Sequence, residues 1–298
     1  MNGGIILINK EKGLSSQKVD SIIKRSLPFK KVGHLGTLDP LAEGLLVILI
    51  DDGTKYAKYF EDSRKKYLLE VRLGATSISL DDEAPLIDIK DFNYTGKEEC
   101  LDKILSSFVT KYLQTPPLYS AIKVNGDPLY KYAVRNKEVE IKPRPVEVYN
   151  IKRTTPITYK DSFSYFSLEV ESSKGFYVRS LAKEIGDKIG ISSMASYIRR
   201  LEVGPFKLDD ALTLVDLTNN KYSFIDPYNY LNFKVKTIDD LLVKDVLNGV
   251  RLSNKILGNE QYYKVETKDH VPLAIYKLNE ENKYYEMDLL VKRWKLSI

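Results

Sequence analysis

Cysteine and histidine are almost absent from this chain of 298 residues. The sequence contains one cysteine, Cys100, and two histidines, His34 and His270. A single thiol excludes a disulfide framework, and one cysteine with two distant histidines argues against a zinc site of the Cys/His type. We therefore expect no bound metal, and we expect Cys100 to be a bystander on a helix.

Long apolar runs are missing as well. No stretch approaches the length that a membrane-spanning helix needs. Residues 1–4 lead into the short apolar run Ile5–Ile8, with no basic region before it and no small-residue cleavage site after it. These absences predict a cytoplasmic protein that does not contact a membrane.

The chain does contain a modest excess of positive charge and enough apolar sequence for a sizeable core. Lysine and arginine outnumber aspartate and glutamate by 46 to 41, which gives a net charge of +5. With 43% hydrophobic residues over this length, we expect one large and one small domain. A small surplus suits nucleic-acid binding only where basic residues cluster, as they do at Lys24-Arg25, Lys30-Lys31, Arg64-Lys65-Lys66 and Arg199-Arg200.

Helix and strand patterns follow one another along the chain. The alternation in Arg144–Tyr149 and Ser164–Val170 is typical of antiparallel strands, and Asn125-Gly126 predicts a tight hairpin turn. Helices are predicted after Ser15-Ser16, over residues 98–108, and over residues 180–189 with Gly190 as the stop. The predicted fold class is α+β, with a mixed, mainly antiparallel sheet and flanking helices.

The polar and aromatic segment at residues 219–234 is typical of a linker. It predicts a domain boundary near residue 232, between a domain of residues 1–232 and a module of residues 233–298. Short alternating strands, among them Tyr263–Val265, Leu273–Lys277 and Leu289–Lys292, predict that this module is small and β-rich.

The most informative stretch is residues 33–46, which reads GHLGTLDPLAEGLL. Pro40 disfavours helical backbone at Asp39, and Gly33, Gly36 and Gly44 supply turns, so Asp39 is predicted to lie in an irregular loop that runs into a buried strand. Such a loop would hold one carboxylate on a rigid sheet. An isolated Asp-Pro pair is more often an ordinary turn, and the length of the pattern is what favours an active-site loop.

This stretch closely resembles the catalytic motif of the TruB family of tRNA pseudouridine synthases. Further matching blocks occur in the family's order: Lys66-Tyr67, residues 114–126, residues 173–180, and residues 197–201. Together they span about residues 4 to 210. Residues 133–137 depart from the family's pattern, and the match beyond Phe206 is loose.

The resemblance implies the pseudouridine synthase fold with a C-terminal PUA-like RNA-binding module, for which a stabilising extension is the alternative. It implies that the chain isomerises uridine 55 in the T-loop of tRNA after flipping the base, without a cofactor. Asp39 would be the essential catalytic carboxylate and Arg179 its ion-pair partner. Tyr67 would stack on the target base, and Tyr177 would line the uracil pocket.

Further RNA contacts are expected, that of His34 from the resemblance and those of Lys174, Arg199 and Arg200 from residue type and charge. His34 would lie near the displaced base, Lys174 would let the backbone approach RNA, and Arg199 and Arg200 would reach phosphate. The expected partner is the T-arm of tRNA. Nothing indicates a protein partner, and we expect a monomer.

Two other functions fit parts of the sequence. Gly33–Gly36 fits the GxxG loop of KH domains, which would make the chain a non-catalytic RNA-binding or tRNA-folding protein. A KH loop joins two helices, however, whereas this one precedes Asp39 and an apolar run. Glycoside hydrolysis would use two carboxylates, and Glu43 is the second one nearest to Asp39.

Overall fold

The computed structural model describes residues 3–135, 137–281 and 283–291, and these form two compact units. The larger unit comprises residues 6–49 and 60–223, and the smaller one residues 3–5, 50–59 and 224–291. The smaller unit thus combines the C-terminal part of the chain with two short N-terminal segments. The functional boundary at residue 232 stays a prediction.

The strands and helices that precede residue 224 alternate along the chain. The strands are β1 (Gly3–Lys10), β2 (Val32–Leu35), β3 (Glu43–Asp51), β4 (Lys65–Leu73), β5 (Thr76–Ser77), β6 (Leu86–Ile87), β7 (Lys111–Gln114), β8 (Lys123–Val124), β9 (Asp127–Pro128), β10 (Arg144–Arg153), β11 (Thr158–Lys160), β12 (Phe163–Ser172), β13 (Ser193–Val203) and β14 (Phe206–Lys207). The helices are α1 (Ser16–Ser26), α2 (Ala57–Phe60), α3 (Glu98–Ser106), α4 (Leu129–Val134), α5 (Val178–Ile189) and α6 (Leu214–Thr218).

A ten-stranded sheet organises the larger unit. Its main path is β1-β3-β13-β4-β12-β10-β7, with β2, β14 and β11 at the sides of β3, β13 and β12. Strands β7, β10, β12, β4 and β13 pair antiparallel in succession, whereas β13 and β3 run parallel. The predicted α+β class with a mixed, mainly antiparallel sheet is therefore confirmed.

The local signals in the sequence correspond to the observed elements. The Ser15 hydroxyl caps α1 by accepting a hydrogen bond from the Lys18 amide, and Gly190 ends α5 with a φ of 86°. Asn125 and Gly126 form the turn between β8 and β9 with φ values of 51° and 88°. Cys100 is exposed on α3, as expected.

The register of the central strands determines which residues meet near the Asp39 loop. In β13, Arg200 lies opposite Gly44 of β3 on one side and opposite Tyr67 of β4 on the other. The backbone of Arg200 is therefore sandwiched between the strand that follows the loop and the strand that carries Tyr67.

The smaller unit is rich in β structure. Its strands β15 (Lys234–Thr237), β16 (Leu252–Ser253), β17 (Tyr262–Glu266), β18 (Pro272–Asn279) and β19 (Tyr284–Leu290) form a sheet in the order β15-β17-β18-β19-β16, and its helices are α7 (Asp240–Leu247) and α8 (Asn254–Leu257). Val246, Val265, Tyr276 and Tyr285 are fully buried in its core.

The strand boundaries at the end of the chain differ from the prediction. The strand expected over Leu289–Lys292 overlaps β19 only at Leu289 and Leu290, because β19 begins at Tyr284 and ends at Leu290. Lys292 lies outside the described residues. No helix among the residues that the structure describes is long and apolar enough to cross a membrane.

Candidate active site

Asp39 lies in the irregular segment between β2 and β3, as predicted. The Asp39 carbonyl accepts a hydrogen bond from the Ala42 amide at 3.1 Å, which turns the chain toward β3. The Asp39 side chain is 34% exposed. A carboxylate at this degree of exposure can meet a bound molecule while the sheet holds its backbone.

The carbonyl groups of the Asp39 loop are held by side chains from three other elements. Arg200 of β13 donates to the carbonyls of Gly36 and Thr37 at 3.0 and 3.4 Å. The Ser16 hydroxyl of α1 donates to the Leu38 carbonyl at 3.0 Å and accepts from the Leu38 amide at 2.8 Å. The ammonium of Lys10, in β1, donates to the Pro40 carbonyl at 3.4 Å.

Two of the three motif glycines have conformations that other residues adopt only with strain. Gly36 and Gly44 have φ values of 76° and 99°. A Cβ atom at Gly44 would lie 2.4 Å from the Arg200 carbonyl oxygen, so only glycine allows β3 and β13 to approach this closely. Gly33, by contrast, lies within β2 and does not form a turn.

Arg179 is the ion-pair partner of Asp39. It is the second residue of α5, its side chain is 2% exposed, and its Nε lies 2.9 Å from Asp39 Oδ2. Its two terminal nitrogens donate to the carbonyls of Ser79 and Tyr119 at 2.7 and 2.8 Å. The guanidinium is therefore held by two hydrogen bonds and by its ion pair with Asp39, in which Nε does not have the geometry of a hydrogen bond.

A second carboxylate faces Arg179 from the segment between β5 and β6. Asp81 Oδ2 lies 3.5 Å from an Arg179 terminal nitrogen, and the Asp81 side chain is 3% exposed. Burial raises the pKa of the nearby Glu83, and the charges of Asp81 and Asp39 raise it further. Sequence reasoning found neither Asp81 nor Glu83, since nothing in the local pattern relates them to a residue about 100 positions away.

Tyr67 is buried on β4, close enough to Asp39 for the two to interact electrostatically. Burial raises the pKa of Tyr67, the positive charge of Arg200 and a hydrogen bond with it oppose that rise, and Asp39 adds to it. The phenol therefore stays protonated at neutral pH, and only 8% of the residue is exposed.

Tyr177 is the N-cap residue of α5 and is partly buried. Its backbone amide donates to Gln114 Oε1 at 2.8 Å, and the Gln114 amide nitrogen donates to the Glu184 carboxylate at 3.2 Å. Burial raises the pKa of the Tyr177 phenol, and the charge of Asp39 contributes to the rise. Gln114 is almost fully buried, and it ties Tyr177 to the body of the helix.

His34 lies on β2 with both ring nitrogens engaged. Nδ1 is 2.7 Å from Asp20 Oδ2 of α1, and Nε2 is 3.3 Å from Thr37 Oγ1. The imidazole thus lies against the Asp39 loop.

The remaining predicted RNA contacts differ in exposure. Arg199 is partly exposed, with its guanidinium 3.7 Å from Glu43. Lys174 is exposed and pairs with Asp62. Arg200 is fully buried, so the prediction that it reaches RNA phosphate is wrong. Successive side chains of a strand point to opposite faces, and the Arg200 side chain points toward the loop carbonyls.

Two lysines near the loop have unusual proton affinities. Burial lowers the pKa of Lys10 to about 8, against the opposing influence of Asp39. Burial and then the charge of Arg200 lower the pKa of Lys65 to about 8. Within the described residues, no group of three or more histidine, cysteine, aspartate or glutamate side chains could hold a metal ion.

The alternative functions receive no support from this geometry. Gly33–Gly36 belongs to a strand and the turn after it, not to a loop between two helices, so the KH-domain interpretation is wrong. Glu43, the second carboxylate of the glycosidase hypothesis, accepts a hydrogen bond from Tyr197 and pairs with Arg199. Both contacts occupy the Glu43 carboxylate within the protein, so the geometry does not present it as a second catalytic group beside Asp39.

Comparisons with known proteins agree with the geometry. The sequence profile described as "TruB family pseudouridylate synthase (N terminal domain)" matches residues 24–178. The chain is 33% identical over 274 residues to tRNA pseudouridine synthase B of Staphylococcus saprophyticus, which covers 91% of this chain and 88% of that protein. It is 36% identical over 252 residues to tRNA pseudouridine synthase B of Streptococcus sanguinis, which covers 83% and 86%.

Solved structures resemble this one in fold. A chain in the crystal structure of a Cbf5-Nop10-Gar1 complex superposes with a TM-score of 0.67 at 22% identity, covering 97% of this chain and 84% of that one. A chain of the archaeal box H/ACA sRNP Nop10-Cbf5 complex gives a TM-score of 0.64 at 21% identity, covering 98% and 89%. The expected pseudouridine synthase fold with a small β-rich, PUA-like C-terminal module is confirmed.

Proposed function

Since the chain belongs to the TruB family of pseudouridine synthases, we propose that it isomerises uridine 55 in the T-loop of tRNA, with Asp39 as the catalytic carboxylate. The reaction breaks the bond between ribose C1′ and uracil N1, turns the base, and joins C1′ to C5. The hydrogen on C5 leaves as a proton, and N1 gains one. The reaction is thus an isomerisation that consumes no second substrate.

The ion pair between Asp39 and Arg179 is the observation that carries this proposal. The reaction requires a carboxylate that acts as a nucleophile or a base, and the Arg179 guanidinium lies 2.9 Å from the Asp39 carboxylate. Arg179 is almost fully buried, whereas Asp39 is one-third exposed. The positive partner therefore stays inside the protein, and the carboxylate faces the RNA.

The two tyrosines near Asp39 support a site for an extruded base. A base inside folded RNA must leave its stack, at a cost of a few kcal/mol, and aromatic side chains can restore part of that energy by stacking. Tyr67 and Tyr177 both interact electrostatically with Asp39. We assign Tyr67 to stacking on the target uracil and to proton transfer, and Tyr177 to the wall of the pocket.

RNA binding extends beyond this pocket. Lys174, which is exposed, and Arg199, which is partly exposed, supply phosphate contacts from the larger unit, and His34 lies beside the displaced base. The β-rich C-terminal module adds a second RNA-binding surface. The enzyme acts as a monomer on the T-arm of tRNA in the cytoplasm and uses no cofactor.

An unmodified tRNA transcript tests the proposal. The protein is incubated with the transcript in the absence of nucleotide and metal ions, and pseudouridine is then mapped along the RNA. The matched control is the same transcript with cytidine at position 55. Product at position 55 alone supports the proposal, product elsewhere refutes the assigned target, and tight binding without product supports the non-catalytic alternative.

Asp39→Asn is the sharpest test of the catalytic assignment. The substitution keeps the shape of the side chain and removes its charge and basicity, so pseudouridine formation should fall below detection. Most RNA affinity comes from basic and aromatic contacts elsewhere, so tRNA binding and the melting temperature should stay near those of the wild type. Normal product formation by a preparation checked for deamidation would eliminate Asp39 as the catalytic residue.

A further inference from the structure

A carboxylate on α1 contacts the histidine of the Asp39 loop. Asp20 Oδ2 lies 2.7 Å from His34 Nδ1, and the two side chains are 19% and 14% exposed. Both are therefore largely shielded from water. An ion pair or charged hydrogen bond in such surroundings is much stronger than one on the surface.

The two contacts of His34 determine where its proton lies. A carboxylate only accepts hydrogen bonds, so Nδ1 must carry a hydrogen that it donates to Asp20. In the neutral ring Nε2 then has no hydrogen, and it accepts from the Thr37 hydroxyl at 3.3 Å. Neither ring nitrogen is therefore available for a hydrogen bond with a base of the RNA. His34 therefore offers RNA the face and the C–H edge of its ring.

The Asp20 side chain uses one of its two oxygens for the contact with His34. Its other oxygen, Oδ1, is buried and has no hydrogen-bond partner among the described residues. A buried carboxylate oxygen without a donor costs stability. Asp20 is therefore better explained by what it does to His34 than by what it contributes to helix α1.

We propose that Asp20 is a positioning residue for the RNA-modification site, which fixes the tautomer and the orientation of the His34 ring. The proposal rests on the proposed function, in which His34 lies beside the displaced base. A fixed ring can occupy the space that the uracil leaves, whereas a ring that rotates would have to be ordered each time a base is flipped.

Nuclear magnetic resonance of the imidazole nitrogens tests the tautomer directly. The chain has only two histidines, and His270, with 79% of its side chain exposed, serves as the internal control. At a pH where both rings are neutral, His34 should carry its proton on Nδ1 in the wild type. In Asp20→Ala the proton should move mainly to Nε2, while the His270 signals stay unchanged. A wild-type His34 with its proton on Nε2 overturns the proposal.

The rate of pseudouridine formation tests the consequence. Under single-turnover conditions at saturating enzyme, Asp20→Ala should be about ten- to a hundredfold slower, the range for loss of a hydrogen bond to a charged group. Its tRNA affinity should be unchanged. Asp20→Asn keeps an oxygen that accepts from Nδ1 and should recover part of the rate. Ser21→Ala, on the same helix, is the matched control and should keep the full rate.

A double-mutant cycle separates positioning from a general structural effect. If Asp20 acts through His34, then the double variant Asp20→Ala/His34→Ala should form pseudouridine at the same rate as His34→Ala alone. Additive losses, or a wild-type rate for Asp20→Ala, overturn the proposal. If Asp20→Ala does not fold, the His34 tautomer of the wild type and the reaction rate of Asp20→Asn test the proposal. If the wild-type protein makes no pseudouridine, the proposed function is refuted instead. The tautomer measurement then still shows whether Asp20 accepts a hydrogen bond from His34.

Discussion

Arg199 and Arg200 are neighbours on β13, yet the structure predicts opposite consequences for their loss. Arg199 is partly exposed and pairs with Glu43, whereas Arg200 is fully buried and donates to the loop carbonyls. Arg199→Ala should therefore weaken RNA binding without affecting stability. Arg200→Ala should lower stability without changing the electrostatic part of RNA binding.

The stability loss in Arg200→Ala can be worked out from its contacts. The guanidinium donates to the carbonyls of Gly36, Thr37 and Leu45, and it hydrogen-bonds Tyr67. Each buried group left without a partner costs about 1–3 kcal/mol, and the relief of no longer burying a cation offsets part of the sum. A net loss of about 3–5 kcal/mol is the range for breaking a buried charged contact. For a unit of this size the melting temperature should fall by roughly 6–20 °C.

The effect of Arg199→Ala should be seen in the salt dependence of binding. Each phosphate contact contributes about 0.7 to 0.9 to the slope of log K against log salt. The Arg199–Glu43 pair, at 3.7 Å and partly exposed, contributes less than about 1 kcal/mol to stability, so the melting temperature should stay the same.

Thermal unfolding followed by circular dichroism and tRNA binding over a series of salt concentrations measure both quantities on both variants. Arg199→Lys, which keeps the charge, is the control for the salt slope. A wild-type melting temperature for Arg200→Ala, or a reduction of the salt slope equal to that of Arg199→Ala, would show that the assigned roles are wrong.

Three further predictions address the loop, its partners and the C-terminal module. Arg179→Lys keeps the charge, but one ammonium cannot reach Asp39, Ser79 and Tyr119 together, so the single-turnover rate should fall about a hundredfold at retained tRNA affinity. A wild-type rate would contradict this. Lys10 has a pKa of about 8 in the folded protein because burial disfavours its charge, so the unfolded state binds more protons between that pH and the ordinary lysine pKa. Between about pH 8 and about pH 10, the stability of the wild type should accordingly rise relative to that of Lys10→Met. A difference in melting temperature that does not change with pH would refute the lowered pKa of Lys10. Removing the residues after 232 should weaken tRNA binding more than the single-turnover rate at saturating enzyme. A folded truncated protein that binds tRNA as well as the full chain would exclude the RNA-binding role of the module.

Much of the fold could be predicted because its signals are local. The cap at Ser15, the stop at Gly190 and the turn at Asn125-Gly126 each depend on residues adjacent in sequence. The loop of Asp39 was also predictable, because Pro40 and the apolar run after it constrain the backbone from both sides.

The supporting residues of the site could not be predicted in the same way. Asp20, Asp81 and Lys10 each contact a residue of another element or loop, respectively His34, Arg179 and Pro40. Without knowledge of that contact, a carboxylate or an ammonium is predicted to lie on the solvated surface. Arg200 was misassigned for the same reason. Its place opposite Gly44 and Tyr67 follows from strand pairing that no local pattern reveals.

The way the Asp39 loop is held decides which molecule must change shape on binding. Contacts from Lys10, Ser16 and Arg200 reach the loop from β1, α1 and β13, so the loop cannot shift without disturbing three separate elements. A site held in this way is preorganised, and it gains little by rearranging around its ligand. The conformational work of recognition therefore falls on the RNA. If uridine 55 is the target, transcripts whose T-loop opens easily should be preferred over those whose fold resists opening, even where every base that touches the protein is the same.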